Sequence, residues 1–185
     1  NCQNKLHVIA EIFYITANAL SSQSIFTFSN FYVNLAKYLN SDFYPFNTLI
    51  AENFYNIDKL HQAKQVYRNL EKKGEAFMWF AAKQNARILI KEEKKEKAIK
   101  DLTKKFLKVK NKNIYTIYEY ADFLKSNEQF LKSIEFYTDI INIIDKTHPI
   151  FPEALEGRGV SYERIGEWNK AEKDLLASLE IKPDE

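Results

Sequence analysis

Several features are scarce in this chain, and each scarcity excludes something. There is one cysteine, Cys2, so no internal disulfide and no multi-cysteine metal site can form. No apolar run approaches the roughly eighteen residues of a transmembrane helix. Glycine and proline number four each, so strong breakers are rare. Neither sign of charge dominates: 27 Lys and Arg stand against 25 Asp and Glu, for a net +2. Such a balance exerts no global pull on nucleic acid or an anionic membrane. The nucleophile elbow, the P-loop and the dinucleotide fingerprint are all missing. Carboxylates are plentiful, but no spacing isolates an acid/base pair. His7, His61 and His148 are scattered along the chain. His7 and Glu11, one helical turn apart, offer two ligands of a metal site and no third. Neither catalysis nor a metal or cofactor is therefore expected. The opening Asn1-Cys2-Gln3-Asn4-Lys5 lacks Met and the pattern of a signal peptide, as expected of an internal cut from a longer protein. Asn1 ahead of Cys2 argues against a lipid anchor. The expectation is a soluble fragment, of the cytoplasm or the periplasm.

Against these absences stands a recurrence. Ser29, Ala63, Ala98, Ser133 and Ala171 follow one another at intervals of 34, 35, 35 and 38 residues. An apolar residue follows each by four: Val33, Tyr67, Leu102, Tyr137 and Leu175. A period of this length predicts a stack of helical hairpins, each burying its face on the next. Hydrophobic residues make up 45% of the chain, and fourteen Phe and eleven Tyr supply bulk to fill the space between stacked helices. Ten helices are predicted, near 4–20, 23–39, 45–56, 60–72, 77–90, 94–108, 114–126, 130–144, 152–165 and 169–181. No linker separates them, and residues 146–151 form a longer loop.

The last unit is the most explicit. From Pro152, the positions Leu155, Gly159, Tyr162, Gly166, Trp168, Ala171, Leu175, Ser178 and Pro183 resemble a tetratricopeptide repeat. The physical logic agrees. Gly159 and Ala171 are small where two helices cross, Gly166 breaks the first helix and Trp168 packs against the turn, and Pro183 ends the second helix. In that frame the earlier units run about 10–43, 44–77, 79–112 and 114–147. They carry Ala17, Ser29 and Ala36; Ala51, Ala63 and Leu70; Ala86 and Ala98; and Ala121, Ser133 and Ile140. Lys105 stands where a small residue is usual. The final unit is also similar to bacterial, alphaproteobacterial members of the family. The resemblance implies an all-α right-handed superhelical solenoid of about five hairpins over residues 1–185, with no enzyme activity of its own.

The resemblance further implies that the first helix of each hairpin lines a concave groove. Carried over by position, the groove candidates are Tyr14 and Asn18; Glu52 and Tyr55, with Thr48; Lys83 and Arg87, with Lys91; Tyr115, Tyr118 and Asp122, with Glu119; and Glu153, Glu156 and Glu163. Lys83 and Arg87 lie one turn apart and can reach one carboxylate or phosphate, or pair with Glu52 or Asp122 as ordinary surface charges. Tyr115 and Tyr118 add flat contact area. Some members grip chaperone tails with a Lys/Asn/Asn/Lys/Arg clamp. The corresponding positions here are Tyr14, Asn18, Leu49, Phe80 and Gln84, of which only Asn18 agrees, so that clamp is rejected.

The reading that follows is a protein–protein scaffold that binds a partner peptide or helix in its groove. Leu175, Leu176 and Leu179 would face a following helix, and so define an alternative, self-association through the terminal face. A helical RNA reader is a second alternative, disfavoured by the modest charge. Ten lysines between Lys91 and Lys112 suggest a phosphate patch, but Glu92, Glu93, Glu96 and Asp101 interleave with them around the stripe Ala98, Leu102 and Phe106, as on a solvated outer face. A regulatory segment of a larger enzyme is the third alternative.

Overall fold

The computed structural model describes residues 4–183, so Cys2 and the expectations placed on it lie outside the described residues. Among those residues there are ten α-helices, one short 3-10 turn and no strand. The helices are α1 (Lys5–Ser22), α2 (Phe26–Leu39), α3 (Pro45–Asn56), α4 (Leu60–Leu70), α5 (Glu75–Lys91), α6 (Lys95–Lys108), α7 (Ile114–Ser126), α8 (Phe130–Ile143), α9 (Ile150–Arg164) and α10 (Trp168–Ile181). They begin where the local chemistry supplies a start. Asn4 and Asn113 accept from the backbone N–H groups of Leu6 and Thr116, satisfying donors that a helix start leaves orphaned. Pro45 opens α3, where its missing N–H costs nothing.

The five turns inside the hairpins share one backbone. Ser24, Asp58, Glu93, Glu128 and Gly166 have φ of 63°, 60°, 60°, 64° and 81°. The residue after each donates its N–H back across the turn: Ile25 to Leu20, Lys59 to Phe54, Lys94 to Leu89, Gln129 to Leu124 and Glu167 to Tyr162, at 2.8–3.0 Å. This is the bond that closes a helix end after a left-handed residue. Only the last turn uses glycine, although four of the five residues bear a Cβ that makes the conformation costly.

The recurring small residues Ser29, Ala63, Ala98, Ser133 and Ala171 are all buried, as are Val33, Tyr67, Leu102 and Tyr137 four positions on. Burying one such large apolar side chain is worth about 1.5–3 kcal/mol. The chain forms two compact units, Asn1–Lys105 and Phe106–Glu185. In the first, Ala17, Val33, Phe46 and Ile50 belong to one core cluster, and Ala51, Ala63, Tyr67, Ala81 and Ile88 to the next. Buried Asn53 ties three helices together. It accepts from the Ser21 hydroxyl at 2.7 Å and donates to Ser29 Oγ at 2.7 Å and Asn30 Oδ1 at 3.0 Å. Lys105, too long for its register, ion-pairs with Glu71 at 2.6 Å.

In the second unit the core gathers Ala121, Tyr137, Ile140, Ile150 and Ala154, and Phe106 stacks on Tyr120 at 4.0 Å. Two glycines of α9 admit close approaches. A Cβ on Gly159 would stand 2.9 Å from Leu175 Cγ, and one on Gly157 would stand 2.6 Å from the Tyr137 hydroxyl oxygen and overlap Cζ of that ring.

Three expectations need correction. Ile150 and Phe151 are not loop residues; they are buried in the first turn of α9. Pro152 is tolerated there because a first-turn residue needs no N–H partner. Trp168 is not buried against the turn, for the residue is 65% exposed at the first position of α10. The backbone bond from Glu167 to Tyr162 already closes that turn. Leu175 does not belong to the outer face with Leu176 and Leu179. It is half-buried on Gly159, because a residue four after Ala171 shares its inward side.

Candidate functional site

The groove candidates fall into both units, and each group stands by itself. In the first unit, Glu52 and Tyr55 lie one turn apart on α3, and Arg87 and Lys91 one turn apart on α5. The repeat period of 35 sets Arg87 at the register of Glu52. The Arg87 Nη1 group donates to Glu52 Oε1 at 2.9 Å and to Oε2 at 3.2 Å. Its guanidinium carbon sits 3.9 Å from the centre of the Tyr55 ring, and Lys91 Nζ sits 4.7 Å from the same centre. Lys91 also pairs with Asp58 at 2.9 Å. One aromatic ring therefore contacts two cations, each with its own carboxylate, an arrangement in which cation–π attraction and ion pairing act together.

The electrostatics follow from that packing. Partial burial depresses the Arg87 guanidinium, but the bond and charge of Glu52 more than offset it and hold the group above its ordinary value. Behind the pair, the buried Tyr67 hydroxyl points at Glu52 Oε2, 3.4 Å away. Burial, and then the Glu52 carboxylate, push that phenol well up. Glu92, at the end of α5, is held below the usual carboxylate range by its bonds to Lys64 and Lys94. Lys83 lies one turn before Arg87 and is half-buried. The structure directs Arg87 to Glu52, the ordinary ion pair weighed above.

Tyr14 and Asn18 are placed differently. The Tyr14 ring turns into an aromatic cluster with Phe43 at 6.0 Å and Phe46 at 5.0 Å. The exposed Asn18 amide donates to the Tyr14 carbonyl at 2.8 Å. The Tyr14 ring joins α1 to the start of the second hairpin, the Asn18 bond stays within α1, and neither residue shares a contact with Glu52 or Arg87 among those described.

In the second unit, Asp122 repeats the role of Glu52 seventy residues later. The Tyr137 hydroxyl points at Asp122 Oδ1, 3.4 Å away, as Tyr67 does at Glu52. Burial, and then Asp122, raise the Tyr137 phenol far above its ordinary value. Lys125 neutralises Asp122 at 2.7 Å. The Tyr118 ring lies 6.1 Å from that of Tyr137, and exposed Tyr115 lies 6.1 Å from the His148 ring. The sequence reading missed a bidentate ion pair of this unit. Arg158 donates through Nε and Nη2 to both oxygens of buried Asp174, at 2.6 and 2.9 Å, and through Nη1 to Thr138 Oγ1 at 3.1 Å. Their separation of sixteen residues crosses the hairpin, a signal that only a hairpin register exposes.

No group of three or more His, Cys, Asp or Glu side chains is set to hold a metal among the described residues. No helix there is long and apolar enough to cross a membrane. What the sites offer is cations, carboxylates and ring faces on rigid helices, groups suited to recognition.

No protein-family model and no curated protein matches the sequence. Solved structures do match its fold. YrrB, described as a TPR protein with an unusual peptide-binding site, is 15% identical, with 93% of this chain and 86% of that one covered and a TM-score of 0.56. The MamA protein is 16% identical over 95% and 92%, with a TM-score of 0.61. A putative kinesin light chain of Podospora anserina with nearly identical TPR-like repeats is 9% identical over 97% of each chain, with a TM-score of 0.65. At these identities the likeness is one of fold, and the fold is that of tetratricopeptide repeats.

Proposed function

We propose that this chain, with its tetratricopeptide-repeat fold, is a protein–protein interaction scaffold and that it has no catalytic role of its own. The observation that carries the reading is the Glu52–Arg87–Tyr55–Lys91 cluster. Arg87, Lys91, Glu52 and the Tyr55 ring are already paired on α3 and α5, with Asp58 in the adjoining turn, before any ligand arrives, so binding there orders few side chains and costs little entropy. A peptide or helix with a carboxylate side chain beside an apolar one fits this cluster. The carboxylate takes Arg87 or Lys91, with Lys83 one turn away, and the apolar group lies against Tyr55. The YrrB description of a peptide-binding site on the same fold points the same way. Tyr115, Tyr118 and Asp122 form a second, independent recognition patch in the other unit.

The test is a displayed peptide library selected on the chain, followed by calorimetry of the selected peptides. Arg87→Glu with Tyr55→Ala is expected to weaken binding by tenfold or more, about 1.4 kcal/mol, the scale of one hot-spot contact. Tyr118→Ala with Asp122→Lys tests the second patch in the same way. Unchanged affinity in both variants, at wild-type helicity, refutes the groove reading.

A further inference from the structure

The basic residues of this chain are not spread evenly. The second helices of the first unit, α2, α4 and α6 as far as Lys105, carry eight Lys and Arg against two acids, Glu96 and Asp101, a net of +6. The second helices of the other unit, α8 and α10, carry three against five, a net of −2. Much of the excess lies on the outward side. On α6, Lys97, Lys100 and Lys104 recur at intervals of three and four, opposite buried Ala98 and Leu102, and all three are exposed. None of the three is ion-paired among the described residues. Glu96 and Asp101 lie to either side of the row.

The outward registers differ in chemistry from helix to helix. Those of Lys97 and Lys100 are exposed in every hairpin, so their exposure belongs to the repeat. On α4 they hold Gln62 and Gln65. On α2 they hold Phe28 and Phe31, 62% and 58% exposed, and Tyr38, 87% exposed, stands on the same side two turns further on. The fold does not demand rings there, since amides and lysines fill the same positions on α4 and α6. The outward side of the first unit thus carries rings on one helix, amides on the next and lysines on the third, with no acid at these registers.

We propose that this outward side of α2, α4 and α6 docks on the surface of an anionic phospholipid bilayer. A bilayer offers both chemistries at every point. Its headgroup phosphates attract Lys97, Lys100 and Lys104, and the boundary beneath them takes the rings of Phe28, Phe31 and Tyr38, the last with its polar tip in the headgroups. Rings and lysines can therefore sit on different helices and still engage one surface. A single-stranded nucleic acid is the poorer match. Its bases stack on rings set within the basic groove that tracks its backbone, whereas α2 has one basic residue, Lys37. An acidic protein segment would pair with the lysines and leave the rings bare. The surface shares no residue with the Glu52–Arg87 cluster on α3 and α5, so the two readings stand or fall separately.

Co-sedimentation of the whole chain with vesicles tests this, with equal parts of phosphatidylcholine and phosphatidylserine set against phosphatidylcholine alone. The chain is expected to pellet with the mixed vesicles, less so as salt rises, and to stay in solution with the neutral ones. Lys97→Gln with Lys100→Gln and Lys104→Gln is expected to weaken binding roughly a hundredfold, about fivefold for each lysine near the surface. Phe28→Gln with Phe31→Gln gives the first hairpin the residues that the second carries there, so the fold has no reason to fail, and binding is expected to weaken roughly tenfold. Lys132→Gln with Lys170→Gln, at the same register in the other unit, is expected to change nothing. A wild-type chain that ignores the mixed vesicles, or binds the neutral ones equally, overturns the proposal. So does binding that survives both variants of the first unit at wild-type helicity, or that the control variant weakens as much. Tighter capture of oligothymidylate or polyglutamate than of the mixed vesicles also overturns it, and assigns the lysines to nucleic acid or to an acidic protein.

Discussion

Replacing Gly157 by alanine adds one methyl group in the middle of α9, and the surroundings of that methyl decide the sign of the effect. In an open helix the change stabilises by about 1 kcal/mol, because glycine is the poorer helix former. Here the new carbon would overlap the Tyr137 ring at Cζ, with the hydroxyl oxygen 2.6 Å away and Cε1 2.8 Å away. Tyr137 is fully buried, so the ring has no free space to swing into. Forcing an extra methyl into a packed core costs about 1–3 kcal/mol, enough to cancel or reverse the helical gain. The decisive comparison is made in a Tyr137→Leu background, where Leu mimics Leu175 at the same register of the last hairpin. With the ring gone the steric cost vanishes, and Gly157→Ala is expected to stabilise by about 1 kcal/mol, or roughly 2–4 °C in Tm for a chain of this length. Urea denaturation followed at 222 nm gives both arms of the cycle. Midpoints are the quantity to compare, since repeat proteins depart from two-state behaviour. A shift of the same sign and size in both backgrounds refutes the packing argument.

Other outcomes follow from the same contacts. Glu128→Gly and Glu93→Gly relieve a left-handed residue that bears a Cβ, a strain of about 1–2 kcal/mol offset by about 0.4–1 kcal/mol of added freedom in the unfolded chain, so each is expected to raise the urea midpoint slightly; a lowered midpoint refutes the strain. Asp174→Ala leaves the largely buried Arg158 unpaired and is expected to cost about 3–5 kcal/mol, whereas a loss below 1 kcal/mol would show that solvent reaches the guanidinium. Glu92 titrates below its ordinary range in the folded chain because Lys64 and Lys94 hold its anion. Its contribution is complete above the unfolded carboxylate value and disappears as pH falls through the folded one. Glu92→Gln is therefore expected to flatten the acid limb of the stability–pH profile, and an unaltered limb contradicts the assignment.

The hairpin register was open to reading because it rests on steric necessity. A residue buried where two helices cross must be small, and Ser29, Ala63, Ala98, Ser133 and Ala171 mark those crossings at a constant interval. The same rule placed Gly159. It did not reveal Gly157, whose smallness answers a single tyrosine twenty residues earlier. Side-chain direction was the harder matter. Trp168 matches the repeat by position, yet position alone does not say whether a ring folds over its turn or leaves it. Tyr14 reads as a groove residue until Phe43 and Phe46, some thirty residues on, draw its ring inward. At the candidate site the 35-residue offset from Glu52 to Arg87 was present in the sequence. That Arg87 would also stack on Tyr55 depends on distances between α3 and α5 that no spacing encodes.

The hairpin turns have a consequence for how such a chain changes length. Ser, Asp, Glu and Gly all enter the same left-handed corner and are followed by the same cross-turn bond. The junctions are therefore interchangeable parts. A cut at one corner rejoined at the next removes a whole cassette of about 35 residues and leaves a seam with the backbone geometry of the original. Unequal crossing-over between such corners would add or delete hairpins without a new turn having to be invented, while every surviving residue keeps its place relative to its own corner.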